Sequence, residues 1–281
     1  MNKNYNKEQY KADKKEQIKN LMVDVENGIL NFQNTDEYLK YLKFQSKFHT
    51  YSLNNAMLIF KQCPNATYLK GFKAWSDMGR KVNKGAKGIK ILAPIMYSRE
   101  EENEDGEIEK KEHLFFKTVV VFDISQTNGD DSKLPTLVTG LKGDTDKLDL
   151  FIKATKEISN IDVEFSNNTE GAKGYFSPLE NRIVIRKDID NIHKVKTIAH
   201  ELTHSILHKG DFDYKKYRPQ AETEAESVAF IVCKYFGIDT DDYSFAYLSS
   251  WTKGDVKDLK KSLNNIQKTA LKIIETIEEL Q

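Results

Sequence analysis

The sequence is poor in the residues that form cross-links and membrane spans. Its 281 residues include only two cysteines, Cys63 and Cys233, which lie far apart and outside any CxxC pattern. This excludes a disulfide scaffold and a thiolate metal site, and it favours a reducing compartment. No apolar run approaches the roughly 18 residues of a membrane span, and the start, MNKNYNKEQYKADKKEQ, lacks the apolar segment of a signal peptide. We therefore expect a cytoplasmic protein without a membrane span.

The sequence has no net charge at pH 7. The 43 basic and 43 acidic residues cancel, so the overall charge predicts no particular partner. The length is sufficient for two domains of ordinary size. Because the segment SQTNGDDSKLPT is rich in turn-forming residues, we place the boundary there. The sequence thus predicts domains at residues 1–132 and 133–281.

The hydrophobic pattern predicts an α+β protein. The first half is expected to contain helices followed by a β-hairpin, in which strand Ile89–Tyr97 pairs with HLFFKTVVVFDI across the acidic tip EEENEDGEIE. In the second half we expect two short strands in GYFSPLENRIVIR, an exposed loop over 209–219 and a helix over 221–236. The last helix carries an apolar seam from Leu259 to Leu280, which favours packing onto the domain over self-association.

The stretch KTIAHELTHSILH, residues 196–208, carries the pattern HExxH. On a helix His200 and His204 leave the same face one turn apart, so that both imidazoles can bind one cation. Glu201 then lies beside the ion, where it can take a proton from water. His208 is a further turn away, roughly 12 Å from His200 along the axis, and is interpreted as a histidine that favours the helix end. The alternative is a surface helix that carries histidines by coincidence.

A third ligand is expected from QAETEAESVAF. Glu222 and Glu226 lie one turn apart on a helix whose other face is apolar. We predict Glu222 as the metal ligand and Glu226 as an outer carboxylate that accepts the N–H of a ligand histidine. Glu224 is expected to point away into solvent. The alternative is that all three carboxylates form a solvated acidic face.

This ligand set predicts a Zn²⁺ hydrolase centre, although another divalent transition metal would also fit. Glu201 is expected to act as the base, and to return its proton to a leaving amine. If RIVIR is an edge strand, it can pair with an extended peptide; a covered edge is the alternative. Tyr243 or Tyr247 is a candidate hydrogen-bond donor to the transition state, with a place in the core as the other interpretation.

Basic and aromatic residues alternate in the first half. Between Tyr51 and Ser98 there are seven lysines and one arginine against a single acid, Asp77. Lysines neutralise phosphates and exposed rings stack on unpaired bases, which favours weakly selective binding of single-stranded DNA. A solvated basic face with its aromatics in the core is the alternative. The candidate contacts are Tyr51, Lys73, Trp75, Arg80, Lys81, Lys84 and Lys87.

Both halves resemble ArdC-type antirestriction proteins. YSLNNAMLIFKQCPNATYLKGFKAWSDMGRKVNKGAKGIKILAP with FDISQT is similar to their single-stranded DNA-binding domain. HELTH, ETEAESVAF and YSFAYLSSW resemble their zincin-like metallopeptidase domain, akin to the ImmA/IrrE peptidases. The resemblance implies His200, His204 and Glu222 as metal ligands, Glu201 as the catalytic base, and a plasmid or other mobile element as the setting.

Three functions are compatible with these patterns. The first is an antirestriction-type protein that binds single-stranded DNA and cleaves an unknown protein or peptide at a zinc centre. The second is an IrrE-like peptidase that cleaves a regulatory protein and uses the basic domain only for docking. The third is a DNA-binding protein whose metal site is structural or vestigial. An intact Glu201 favours an enzyme, because a structural site needs no base.

Overall fold

The structure, a computed structural model, describes residues 7–102, 108–134, 144–239, 243 and 245–281. The described residues form two compact units. The first comprises 7–28 and 54–134, and the second comprises 29–53 and the chain from 144 onward. The mixture of helices and strands confirms the predicted α+β class. None of the helices in these ranges has the length and apolar character needed to cross a bilayer.

The elements of the described ranges follow in chain order. The helices are α1 (Lys7–Leu30), α2 (Thr35–Lys47), α3 (Leu53–Gln62), α4 (Phe72–Asp77), α5 (Asp144–Ser159), α6 (Asn191–Leu207), α7 (Tyr214–Tyr235), α8 (Leu248–Trp251) and α9 (Val256–Glu279). The strands are β1 (Leu69–Gly71), β2 (Arg80–Val82), β3 (Ile89–Glu102), β4 (Ile108–Asp123), β5 (Thr127–Gly129), β6 (Asp162–Ser166), β7 (Gly174–Ser177) and β8 (Arg182–Arg186).

A long antiparallel hairpin dominates the first unit. Strands β3 and β4 pair in register from Ile89 opposite Val121 to Glu102 opposite Ile108, as the sequence predicts, and the centre of the predicted tip lies outside the described residues. Strand β1 adds to β4, so the sheet order is β1-β4-β3, and β2 pairs with β5 in a separate ribbon. The short strands β1, β2 and β5 were missed from the sequence because three residues are too few to show a period.

Asp123 holds the end of this sheet together. Its buried carboxylate accepts hydrogen bonds from the backbone amides of Thr67 and Tyr68, at 2.7 and 3.1 Å, and from the amide and hydroxyl of Ser125, at 3.0 and 2.6 Å. Burial raises the pKa of this carboxyl group, but these hydrogen bonds outweigh burial and leave the pKa below its ordinary value. Asp123 therefore joins the start of β1 to the end of β4.

The second unit places its core between helices. Helix α9 packs on α5, α6 and α7. Its predicted seam is buried at Leu259, Leu263, Ile266, Ala270, Ile273 and Ile277, but its last member, Leu280, is 39% exposed. Helix α2 packs on α7, where the Tyr38 hydroxyl lies 2.7 Å from that of Ser227. These contacts place residues 29–53 in the second unit, whereas the predicted boundary includes them in the first. The predicted limits of 1–132 and 133–281 stay a prediction.

A three-stranded sheet lies beside α6, with the order β6-β8-β7. Strand β8 pairs in parallel with β6 and antiparallel with β7, and Ile183, Val184 and Ile185 are buried. The idea that RIVIR is an edge strand is therefore wrong, because both of its edges are occupied. The edge strand next to α6 is β7.

Helix α7 begins earlier than the sequence indicates. Asp213 caps it, and the helix runs through Pro219 with a kink at Tyr217, so most of the loop predicted over 209–219 is helical. Pro219 lies two residues after this kink, and proline is tolerated in the first turn of a helical segment. At the other end, Gly237 adopts a φ of 67°, the left-handed conformation that ends helices.

We predict that Asp123→Ala destabilises the first unit locally. Each buried amide left without an acceptor costs about 1–3 kcal/mol. Hydrogen exchange of peptides that contain Thr67 and Tyr68 should therefore accelerate at least about tenfold, while exchange in α6 and α7 stays unchanged. Asp77→Ala, at an exposed carboxylate of α4, is the control. Equal exchange in the two variants would contradict the role assigned to Asp123.

Candidate metal centre and nucleic-acid interface

Helix α6 brings two imidazoles together. Asp190 caps the helix by accepting from the His193 amide at 2.9 Å, and the opposite face is anchored by buried Val195, Ile198, Ala199 and Leu202. On the remaining face, Nε2 of His200 lies 3.1 Å from Nε2 of His204. Two ring nitrogens thus point at the same place, as their spacing of four predicts.

Helix α7 brings a carboxylate to these nitrogens. Oε2 of Glu222 lies 3.5 Å from Nε2 of His200, and one ligand atom from each of His200, His204 and Glu222 fits within 4.8 Å of the others. Glu226, one turn further on, has Oε2 at 3.2 Å from Nδ1 of His200. Two imidazoles and one carboxylate are a donor set that suits zinc and related divalent ions.

The charges of this cluster are tightly coupled. Burial lowers the pKa of His200, but hydrogen bonds to Glu222 and Glu226 outweigh burial and raise this pKa to about 10. Burial and the positive charge of His200 lower the pKa of His204 to about 3. Burial raises the pKa of Glu222, but His200 and Tyr214 reverse the effect and bring it to about 2. The raised pKa therefore keeps a proton on His200, and this positive charge offsets the negative charge of the neighbouring carboxylates.

Glu201 lies next to the cluster and is held by the edge strand. Its Oε2 accepts from the backbone amide of Phe176 in β7 at 2.9 Å. The residue is buried, and burial raises the pKa of its carboxyl group. The side chain is therefore fixed in orientation and has an increased proton affinity, both of which suit a general base.

These residues border a cavity of about 690 Å³, a volume within the range of ligand sites. Strand β7 and the residue before it contribute Lys173, Tyr175 and Phe176, and the segment before α7 contributes Lys209 and Phe212. The cavity is therefore bordered by the exposed edge of a sheet as well as by the histidines.

His208 lies at the C-terminal cap of α6, as predicted, but its side chain is 1% exposed and its Nε2 lies 2.8 Å from Oε2 of Glu224. The expectation that Glu224 is solvated is wrong, since its side chain is also 1% exposed. Helical spacing located both residues on their helices, but it carried no information on which helix would cover them.

The cavity contains a tyrosine that the sequence analysis missed. Tyr214 donates its hydroxyl hydrogen bond to Oε1 of Glu222, from a position eight residues earlier on the same helix. Tyr243 instead lies against Phe230 and under the Lys196 ammonium, 4.2 Å from the ring centre, and neither Tyr243 nor Tyr247 lines the cavity. Lys196, also missed, has Nζ 3.0 Å from Oε1 of Glu226. Because Lys196 lies four residues before His200, helical spacing could have placed it on the same face as the ligand histidines.

The predicted DNA contacts divide into buried and exposed residues. Trp75 is 0% exposed and donates to the Phe122 carbonyl at 2.9 Å, so stacking of its ring on a base is excluded. Arg80 is 7% exposed and binds Thr127, Gly129 and Asp131, so it joins β2 to β5 and is not available to a phosphate. The side chains of Lys73, Lys81, Lys84 and Lys87 are exposed.

One of the exposed aromatics in this unit lies close to Trp75 in the sequence. Phe72 is 64% exposed at the start of α4, directly before Lys73. Tyr51 belongs to the second unit, where its half-buried ring lies 5.7 Å from that of Phe48. The interface residues therefore remain a prediction, from which the structure removes Trp75 and Arg80 and to which it adds Phe72.

Comparison with known proteins finds two families along the chain. Residues 12–122 match the N-terminal domain of anti-restriction factor ArdC, and residues 157–265 match the IrrE N-terminal-like domain of peptidase family M78. An uncharacterized protein of Bacillus anthracis, pXO2-81, is 27% identical over 319 aligned positions, which cover 98% of this chain and 54% of that protein. The chain thus spans about half the length of this curated relative.

Two solved structures have the same fold. Both are of antirestriction ArdC protein from the R388 plasmid, and the alignments cover 82% of this chain and 86% of theirs. The metal-free form is 24% identical with a TM-score of 0.55, and the Mn(II)-bound form is 22% identical with a TM-score of 0.56. The two matches and this shared fold show an ArdC-like fold in which a region like the ArdC N-terminal domain, residues 12–122, precedes an IrrE-like domain, residues 157–265.

Proposed function

We propose that the protein is an antirestriction factor that binds single-stranded DNA through its first unit and cleaves a peptide bond in a protein substrate at a zinc centre in its second. The observation that carries the proposal is the conjunction of two facing imidazoles, a carboxylate and a separate, oriented Glu201. A purely structural metal site needs the first three groups but not the fourth.

In this proposal, His200, His204 and Glu222 hold the metal, and Glu226 fixes the ring of His200. A bound divalent cation supplies a Lewis acid that lowers the pKa of water and polarises a carbonyl oxygen. Zinc suits the ligand set, and the Mn(II)-bound form of the R388 protein supports manganese as an alternative.

The remaining chemistry belongs to the chain. Glu201, held by the Phe176 amide, accepts a proton from the attacking water and passes it to the leaving amine. Apart from the Phe176 amide, which Glu201 occupies, the edge of β7 that does not pair with β8 offers backbone groups to an extended peptide. Tyr214 lines the cavity and is hydrogen-bonded to Glu222. Once its hydroxyl turns away from Glu222, it is better placed than Tyr243 or Tyr247 to donate to a developing oxyanion.

The first unit supplies the affinity for nucleic acid. Lys73, Lys81, Lys84 and Lys87 are exposed and meet phosphates as point charges, which favours binding without sequence preference. Phe72 offers a ring on which a base can stack. Binding of this kind would bring the peptidase centre to proteins that act on incoming single strands.

We predict that zinc binding to the metal-free protein at pH 7.5 releases about one proton per ion. His200 has a pKa raised to about 10 and must lose its proton to become a ligand. Because the pKa of His200 is raised in the folded state, the resulting stabilisation of the metal-free protein is complete below the unfolded pKa of about 6.5 and is lost as the pH rises through 10.

Calorimetric titrations of the protein with zinc, in buffers of different ionisation enthalpy, measure the number of protons released per ion. His193→Gln should behave as wild type, and a stoichiometry of zero released protons would refute the assignment.

We predict that Glu201→Gln keeps the metal but loses hydrolysis. Loss of a general base lowers rates about 10²–10⁴-fold, so cleavage of a mixed peptide library, read by mass spectrometry, should fall by that factor at unchanged zinc stoichiometry. Protection of unmodified DNA entering a restricting host should be lost as well. Glu157→Gln, at an exposed position of α5, is the matched control. Full protection by Glu201→Gln would instead favour a DNA-binding protein with a structural metal.

We predict that Lys73→Ala, Lys84→Ala and Lys87→Ala together weaken binding to a short oligonucleotide and reduce its salt dependence. Each lost phosphate contact lowers the slope of log K against log salt by about 0.7 for a single strand, so the triple variant should lose about 2. Phe72→Ala should weaken binding by about 1–3 kcal/mol with little change in slope. Lys257→Ala, on α9, is the control. No binding by the wild type at low salt would leave this unit as a protein-docking module.

A further inference from the structure

A buried chain of hydrogen bonds leads away from the metal ligands. Nδ1 of His204 lies 2.9 Å from Nδ1 of His208, and Nε2 of His208 lies 2.8 Å from Oε2 of Glu224. The side chains of His208 and Glu224 are each 1% exposed. This series of hydrogen bonds therefore runs from the metal ligand His204 into the interior between α6 and α7, and each of its steps is a direct contact between side chains.

The far end of this chain is fixed by two further groups. Oε1 of Glu224 accepts from Nε2 of Gln220 at 2.9 Å and from the hydroxyl of Ser262, which is 1% exposed on α9. Three helices thus hold one carboxylate. A buried carboxylate with this many partners cannot turn to another donor without leaving one of its present partners unsatisfied.

Counting protons along the chain assigns each nitrogen a role. An ionised carboxylate only accepts, so Nε2 of His208 carries the hydrogen that it donates to Glu224. A neutral imidazole has one donor and one acceptor nitrogen, so Nδ1 of His208 accepts. Nδ1 of His204 must then donate, which leaves the lone pair of His204 on Nε2, the atom that faces His200 at 3.1 Å.

The two ligand histidines are therefore oriented by different means. His200 reaches a carboxylate directly, because its Nδ1 lies 3.2 Å from Glu226. His204 reaches its carboxylate, Glu224, only through the ring of His208. Ligand histidines commonly donate their second nitrogen to an acceptor, and loss of that acceptor costs about 10–100-fold in metal affinity.

We propose that His208 and Glu224 form a positioning pair, which sets the tautomer of His204 so that its Nε2 lone pair is available to the metal. Glu224 does not line the cavity, whereas the His208 ring borders it. The pair acts on the metal through the His204 ring. This inference rests on the proposed metal centre. It assigns a function to two residues whose burial would otherwise be only a matter of packing.

Two near-isosteric variants of one residue test this role. In His208→Asn the amide oxygen can occupy the position of Nδ1 and still accept from His204, whereas the contact with Glu224 is lost. In His208→Gln the amide nitrogen can occupy the position of Nε2 and still donate to Glu224, whereas the acceptor for His204 is lost. The zinc affinity of the full-length chain, measured at fixed pH by competition with a chromophoric chelator, is the readout.

We expect His208→Gln to weaken zinc binding about 10–100-fold and His208→Asn to weaken it no more than a few-fold. Far-ultraviolet circular dichroism and the metal-free melting temperature show whether each variant is folded. His193→Gln, on the same helix, should bind zinc as the wild type does. Should His208→Asn unfold, Glu224→Gln provides the second variant, with an expected loss of binding because its amide can reverse the proton order along the chain.

The outcomes separate this inference from the proposed function. If the wild type takes up no zinc or manganese, the metal centre itself fails. If the wild type binds zinc and folded His208→Gln binds equally well, the metal centre stands and the positioning pair is overturned. If both His208 variants lose affinity in proportion to their loss of melting temperature, His208 is a packing residue, and the proposal is likewise overturned.

Discussion

The second unit depends on one constraint: two imidazole nitrogens, 3.1 Å apart, that both need to offer a lone pair to the same place. Such an arrangement is repulsive unless a cation lies between them, whether a proton or a metal ion. Glu222 and Glu226 on α7 provide the negative charge that makes the cation favourable, and their two roles, at Nε2 and at Nδ1 of His200, follow from one helical turn of separation. The packing of α7 against α6 is therefore a condition for chemistry as well as for stability.

The first unit follows a different principle. Its most conspicuous charged and aromatic residues, Asp123, Arg80 and Trp75, are buried in hydrogen-bonded positions. Asp123 and Trp75 bind the segment before β1 and helix α4 to β4 of the hairpin, and Arg80 joins β2 to β5. This leaves lysines and a smaller number of exposed rings at the surface. A unit built in this way can offer a flexible positive surface without rearranging its interior, which agrees with the weakly selective binding of nucleic acid that lysine favours.

Composition alone misjudged several residues in both units. A tryptophan among lysines looked like a stacking platform, and Glu224 between two other glutamates looked like a solvated carboxylate. In each case the residue type was compatible with two environments, because tryptophan and carboxylate are stable in the interior once their polar atoms have partners. The Phe122 carbonyl is that partner for Trp75, and His208 and Ser262 are partners for Glu224. All of them come from segments distant in sequence or from another helix.

By itself, the sequence determined the features that arise within a single element. The period of the helices, the pairing of β3 with β4, and the shared face of His200 and His204 all follow from local geometry, which repeats every 3.6 or 2 residues. Tertiary structure alone decided which elements meet. It made β7 the free edge beside Glu201, assigned residues 29–53 to the second unit, and joined His204 through His208 to Glu224 and α9. Contacts of this kind depend on how helices and sheets pack, and no periodicity within one segment encodes the partner that another segment supplies.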